Sequence, residues 1–157
     1  MTQVLDTHKH HRINLNRVAP EFYEAMMTIS AAAQKGIDPR LAELIKIRAS
    51  QLNHCAFCLD MHSHDARKNG ETEQRIYLLS AWEEAGDLYT EQEQAALALT
   101  EEMTDLTRGA HVSDAVYARA AAAFTDAELG QVIAMATVIN AWNRISVSTR
   151  VTPPHRH

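Results

Sequence analysis

The chain has 157 residues, 46% of them apolar, and Asp plus Glu outnumber Lys plus Arg by 20 to 15, for a formal charge of −5. That length fits one compact domain, residues 1–157, with its packed part at about 20–151. The acidic balance lacks the basic excess that nucleic-acid backbones demand, and no apolar run approaches the roughly 18 residues that cross a bilayer, so neither nucleic acid nor a membrane is an expected partner.

The opening segment MTQVLDTHKHHRINLN carries positive charge without the apolar stretch of a secretory signal, which makes the cytoplasm the expected compartment. Pro20 can open a helix running to about Lys35, with Gly36 ending it, and Asp38-Pro39 caps a second that runs to about Asn53. A third starts near His54 and stops before Gly70, and a fourth begins at Thr72 or Glu73. Thr90-Glu91-Gln92-Glu93 has the form of a capping box opening a fifth, Ser113 can cap a short helix to Phe124, and Thr125-Asp126-Ala127-Glu128 is a second capping box before a long helix ending near Val151. The Pro153-Pro154-His155-Arg156-His157 tail reads as loose. Gly and Pro number only five and four, and no strand-like alternation competes, so the expected fold is an all-α, single-domain bundle of six to eight helices.

The last helix is apolar on nearly every side. Leu129, Val132, Ile133, Ala136 and Val147 form one face, while Met135, Val138 and Trp142 form another almost opposite. One of the two is expected at a subunit interface, the other reading being a central core helix. Asn140 and Asn143 fall on the first stripe, where a buried amide needs partners: either they line a polar pocket or they cap a neighbouring helix end.

Both cysteines of the chain lie in Cys55-Ala56-Phe57-Cys58. That is too few and too local for a structural disulfide framework, and in a reducing compartment it points to redox chemistry or metal. With Asn53 as helix cap, a wheel puts Cys55, Cys58, Leu59, His62, Ala66 and Asn69 within about 100° of one another. Asp60, His64, Arg67 and Lys68 fall on the far, solvated side. Residues three apart on a helix have β-carbons about 5 to 6 Å apart, close enough for reversible S–S formation. Residues four apart let the His62 imidazole accept the Cys58 thiol proton directly or through a water. Cys55, in the first turn, would feel the helix N-terminus, so both thiolates have a source of activation and spacing does not say which attacks.

Three other readings stand beside this. The cysteines could simply pack in the core next to a hydrogen-bonded His62. A zinc site on Cys55, Cys58 and His62 is disfavoured because structural zinc needs four ligands and no completing pair is spaced for it. A thioredoxin-like fold is disfavoured because the βαβ pattern is missing. No cofactor and no metal are expected; the histidines at 8, 10, 11, 155 and 157 lie in terminal segments suited only to adventitious binding.

The run Glu43 to Gly70, ELIKIRASQLNHCAFCLDMHSHDARKNG, resembles the alkyl hydroperoxidase D-like branch of the carboxymuconolactone decarboxylase family. Redox members of that family carry a Glu, twelve positions on a Cys-x-x-Cys, and a His four after the second cysteine; Glu43, Cys55, Cys58 and His62 match each element. Ala141-Trp142-Asn143-Arg144 also resembles a segment common in relatives. The resemblance implies an all-α fold, assembly into homo-oligomers (trimers or hexamers), and thiol peroxidase activity. In it Cys58 would attack the hydroperoxide substrate, Cys55 would resolve the product to a disulfide, His62 would act as base, Glu43 would orient His62, and an external dithiol or protein reductant would reset the pair.

Where the archetypal alkyl hydroperoxidase D has a histidine immediately before the second cysteine, this chain has Phe57. That leaves a shorter Glu43–His62–Cys58 relay, with His54, near Cys58 on the wheel, weighed as a partial substitute against a plain helix-start residue. Periodicity by itself treats Glu43 differently. Leu41, Leu44, Ile45, Ala49 and Leu52 make the apolar stripe of the second helix, and Glu43 points nearly opposite, beside Ile47 and Ser50, where it reads as exposed. Arg48 lies on the stripe and is expected to pair with a carboxylate or carbonyl. A lactone decarboxylase of the same fold, which would not need the cysteines, and a non-enzymatic redox sensor or scaffold are the alternative functions.

Overall fold

The computed structural model describes residues 12–109 and 111–156. Among them there are no strands, and nine α-helical segments follow one another: α1 (Leu15–Val18), α2 (Pro20–Ala33), α3 (Pro39–Leu52), α4 (Ala56–Lys68), α5 (Glu73–Leu78), α6 (Glu91–Thr104), α7 (Leu106–Gly109), α8 (Asp114–Ala123) and α9 (Asp126–Thr149), with a 3₁₀ stretch at Leu79–Glu84 between α5 and α6. Seven of these are longer than four residues, within the expected six to eight; the additional two, α1 and α7, are single turns. The punctuation read from the sequence falls where side chains satisfy the orphan N–H groups of a first turn. Asp38 accepts from Arg40 N and Leu41 N, Ser113 from Val116 N, and Thr90 and Thr125 each form a reciprocal capping box.

α3 is the centre of the packing, touching α4, α6 and α9. Leu41, Ala42 and Ile45 enter one apolar cluster with α6, α8 and α9, while Leu44 and Ile47 enter another with Ala66 of α4, Leu79, Trp82 and Leu97. Burying a side chain such as Leu44 or Ile45 contributes about 1.5–3 kcal/mol each. Because α3 is covered on both sides, its wheel has no solvent face at Glu43, which is 5% exposed. This corrects the periodicity reading of that residue. Arg48 meets Glu101, Nε to Oε1 2.7 Å, as expected of a cation on the apolar stripe.

α9 is buried on much of its surface but keeps a solvent-facing line at Gly130, Thr137 and Arg144. Of the two faces, one of which was expected at a subunit interface, the one with Met135 and Val138 is buried by the chain itself, and α2 packs on α9. Val147, assigned to the opposite face, is half-exposed. The tail is not loose at Arg156, whose guanidinium makes a forked ion pair with Asp60 of α4 at 2.7–3.0 Å. His155 is exposed; the histidines at 8, 10, 11 and 157 lie outside the described residues.

Asn140 and Asn143 resolve as a clamp on the turn between α3 and α4. Asn53, the C-cap of α3, donates one amide hydrogen to each of their Oδ1 atoms, both at 2.9 Å. Asn143 Nδ2 donates to Ser50 Oγ at 3.0 Å, and Asn140 Nδ2 to Thr104 Oγ1 at 2.9 Å. Asn143→Ala leaves an Asn53 N–H and a Ser50 oxygen short of partners in a buried site, at about 1–3 kcal/mol each. We expect a loss of roughly 2–4 kcal/mol, read in urea unfolding as a lower midpoint at unchanged slope. A loss below about 1 kcal/mol would show that the turn is held by other contacts.

Candidate active site

Residues 53–55 set the geometry. Asn53 ends α3, His54 turns the chain with φ +54°, and Cys55 N donates to Ser50 O at 3.0 Å. A histidine in the left-handed region disfavours continuing a helix, so α4 starts two residues later than the sequence suggested. Cys55, not Asn53, is its N-cap, and its Sγ accepts from Cys58 N at 3.3 Å in the place an Asn or Ser oxygen usually takes. Cys55 and Cys58, three apart with Cα atoms 5.3 Å apart, are joined by a disulfide. Both are 2% exposed.

One turn further, His62 is buried beneath the same face, as is Ala66, whereas His64, Arg67 and Asn69 are exposed. The wheel places His62, Ala66 and His64 as observed; Asn69, next to the helix end, is exposed instead of inward, and Asp60, paired with Arg156, is only partly exposed. His62 Nδ1 lies 2.9 Å from Glu43 Oε2. An ionised carboxylate can only accept, so Nδ1 carries the hydrogen and donates, leaving Nε2 as the basic nitrogen of the ring. Burial acts to raise the Glu43 carboxyl, but hydrogen bonds from His62 and Lys46 together outweigh it and hold the group below its ordinary value. Glu43 thus stays ionised at neutral pH and fixes the tautomer of His62.

Cys58 and His62 both line a cavity of about 360 Å³ between α2, α3, α4 and α9, walled in large part by Phe57, Met61, Met135, Ile139 and Trp142. Trp142 is pinned by donation from Nε1 to Ser30 Oγ at 2.7 Å and by an edge-on contact with Tyr23, centroids 5.1 Å apart. The wall closes α2 onto α9 and makes the cavity predominantly apolar, with a polar end at His62. Phe57 lies on the lining, so the position before the second cysteine offers a ring without an ionisable atom. His54 is not on the lining; it is exposed and borders a separate hollow with Gln51 and Arg144. Among the described residues, no three His, Cys, Asp or Glu side chains converge as a metal site.

All four residues expected at the site come together: Cys55 bonded to Cys58, His62 on the cavity with Cys58, and Glu43 on His62. Two further polar groups were not anticipated. Lys46 donates to Glu43 Oε1 at 2.7 Å and to Gln34 Oε1 at 3.1 Å, and both Lys46 and Gln34 line the cavity. The signal for Lys46 was its i,i+3 spacing from Glu43 on one helix; Gln34 reaches it from α2, a contact with no local signature.

Known proteins can be set against this geometry. The uncharacterized protein YdfG of Bacillus subtilis (strain 168) is 44% identical over 138 residues, 87% of this chain and 92% of its own. A solved protein of unknown function from Agrobacterium tumefaciens, provisionally described as an antioxidant defence protein AhpD, superposes with a TM-score of 0.88 at 37% identity, covering 93% of this chain and 99% of its own. An uncharacterized peroxidase-related protein from Ralstonia eutropha JMP134, described as an alkylhydroperoxidase AhpD core, shares the fold at a TM-score of 0.75 and 17% identity, over 88% of this chain and 74% of its own. The sequence model of one family matches residues 20–102, a stretch that contains Glu43, Cys55, Cys58 and His62. By that match the chain belongs to the carboxymuconolactone decarboxylase family.

Proposed function

We propose that the protein is a thiol-dependent peroxidase that reduces hydroperoxides through a cycle on Cys58 and Cys55. The observation that carries this reading is one cavity lined by Cys58 and by His62, with Glu43 on Nδ1 of that imidazole and Cys55 already bonded to Cys58. The fold and the antioxidant description of the Agrobacterium relative support it.

In the reduced protein His62 takes the Cys58 proton, and the thiolate attacks the terminal oxygen of R–OOH. The O–O bond breaks, the leaving alkoxide takes up a proton to become R–OH, and Cys58 becomes a sulfenic acid. The Cys55 sulfur then attacks Cys58 Sγ, hydroxide leaves and is protonated to water, and the disulfide forms. An external dithiol or protein reductant returns two electrons and two protons to the pair. Glu43 keeps the imidazole in the working tautomer throughout, and no metal or cofactor enters the cycle. Cytoplasmic location and assembly as a homo-oligomer, trimer or hexamer, belong to the same reading.

The test is stoichiometric. Reduced protein treated with one equivalent of cumene hydroperoxide should lose both of its two thiols and release one equivalent of cumyl alcohol. Steady consumption with excess dithiothreitol separates a catalyst from a sensor, and thiols that survive the peroxide intact would end the proposal.

A further inference from the structure

The relay leaves an ammonium group in the cavity unused. Lys46 stands one turn after Glu43 on α3, bonds Glu43 Oε1 at 2.7 Å and Gln34 Oε1 at 3.1 Å, and lines the same cavity as Cys58 and His62. Its side chain is 13% exposed and that of Glu43 7%, so this is not one of the solvated i,i+3 pairs that contribute little. The carboxylate is held at both ends, with Oε1 on Lys46 and Oε2 on His62. Gln34 extends the hold to α2, so three helices fix the orientation of one buried carboxylate.

We propose that Lys46 is a positioning residue for the thiol chemistry, an inference that takes its purpose from the peroxidase reading. It keeps Glu43 turned so that Oε2 meets Nδ1 of His62, and it offsets the carboxylate charge at the place where a thiolate must form. With Lys46 present, Glu43 and Lys46 sum to zero before Cys58 ionises. Without it, a buried negative charge already stands in the site, and a second one on Cys58 forms against it. The titratable groups around the ammonium are Glu43 on its own helix, Tyr23 on α2, and Cys58 and His62 on α4; α9 contributes none to the cavity. Until His62 takes the Cys58 proton, Lys46 is the one cation on the lining that offsets the Glu43 carboxylate.

The experiment reads thiolate formation without peroxide. Reduced wild-type protein, Lys46→Met, Lys46→Arg and Gln34→Glu are alkylated with iodoacetamide across a pH series, and modification of Cys58 is resolved by fragment mass spectrometry. In Lys46→Met the inflection for Cys58 should move up by roughly one pH unit. Lys46→Arg, which keeps the charge, should stay with the wild type. Gln34→Glu, which sets a second carboxylate on the ammonium, should move the inflection up by a smaller amount. An inflection in Lys46→Met that coincides with the wild type overturns the proposal, as does one in Lys46→Arg displaced as far as in Lys46→Met. Should Lys46→Met fail to give the helical circular dichroism of the wild type, Gln34→Glu decides, and coincidence with the wild type overturns it. Hydroperoxide consumption is followed in parallel: a wild type that consumes none removes the peroxidase reading, while the alkylation inflection still decides the role of Lys46.

Discussion

Cys58→Ser should reduce hydroperoxide consumption to the uncatalysed background while leaving the helical fold intact. The substitution replaces sulfur by oxygen at a buried position and keeps the backbone N–H that donates to Cys55 Sγ. A serine hydroxyl is un-ionised at neutral pH and is a poor nucleophile toward an O–O bond, so the first step has no substitute. Cys55→Ser should behave differently: one equivalent of peroxide still reacts, one sulfenic acid accumulates on Cys58 and is captured by dimedone, and turnover then stops. Cys55, as the N-cap of α4, also lies where a helix N-terminus favours a thiolate. That effect is about 0.3–1 kcal/mol, roughly a two- to fivefold change in thiolate population. Access weighs more, because Cys58 is on the cavity lining and Cys55 is not. A stoichiometric reaction surviving in Cys58→Ser and lost in Cys55→Ser would reverse the two roles.

What the chain discloses about its fold is what side chains do to nearby backbone. The capping boxes at Thr90 and Thr125, the Asp38-Pro39 start and the Pro20 opening are contacts within one turn, and the structure has them all. α1 and α7 are single turns with little pattern to find, and the start of α4 depends on a left-handed His54, which a wheel does not see. Periodicity also assumes that a helix has one inside. α3 has two, because α4 covers the side that α6 and α9 leave open, and so Glu43 was misplaced by its spacing. The Arg156–Asp60 pair spans 96 residues of sequence and leaves no local trace.

The site divides along the same line. Cys55, Cys58 and His62 lie on one helix or at its cap, so their juxtaposition follows from spacings of three and four. Glu43 joins them only through the packing of α3 on α4, and the family resemblance supplied what periodicity denied. Asn140 and Asn143 were legible as needing partners, yet not as the clamp that holds the turn before Cys55, since Asn53 and Ser50 reach them across some 90 residues. The cavity and the Gln34–Lys46 contact are products of tertiary structure alone.

His62→Ala should slow hydroperoxide consumption strongly at neutral pH and little in alkali. A thiol of ordinary acidity is about 3% thiolate at pH 7 and about 90% at pH 9.5. If His62 serves to remove the Cys58 proton, its loss costs roughly thirtyfold at pH 7 and close to nothing at pH 9.5. The thirtyfold figure is the full span between a wholly ionised Cys58 with His62 present and a thiol of ordinary acidity without it. The variant also strips Glu43 of one of its two hydrogen-bond partners, but Lys46 still holds Oε1 and keeps a counter-charge on the carboxylate. The measurement is the second-order rate constant for oxidation of reduced protein, followed by stopped flow from pH 6 to pH 10. A loss of equal size at every pH would assign His62 to packing or to contact with substrate, and the relay from Glu43 to Cys58 would have to be given up.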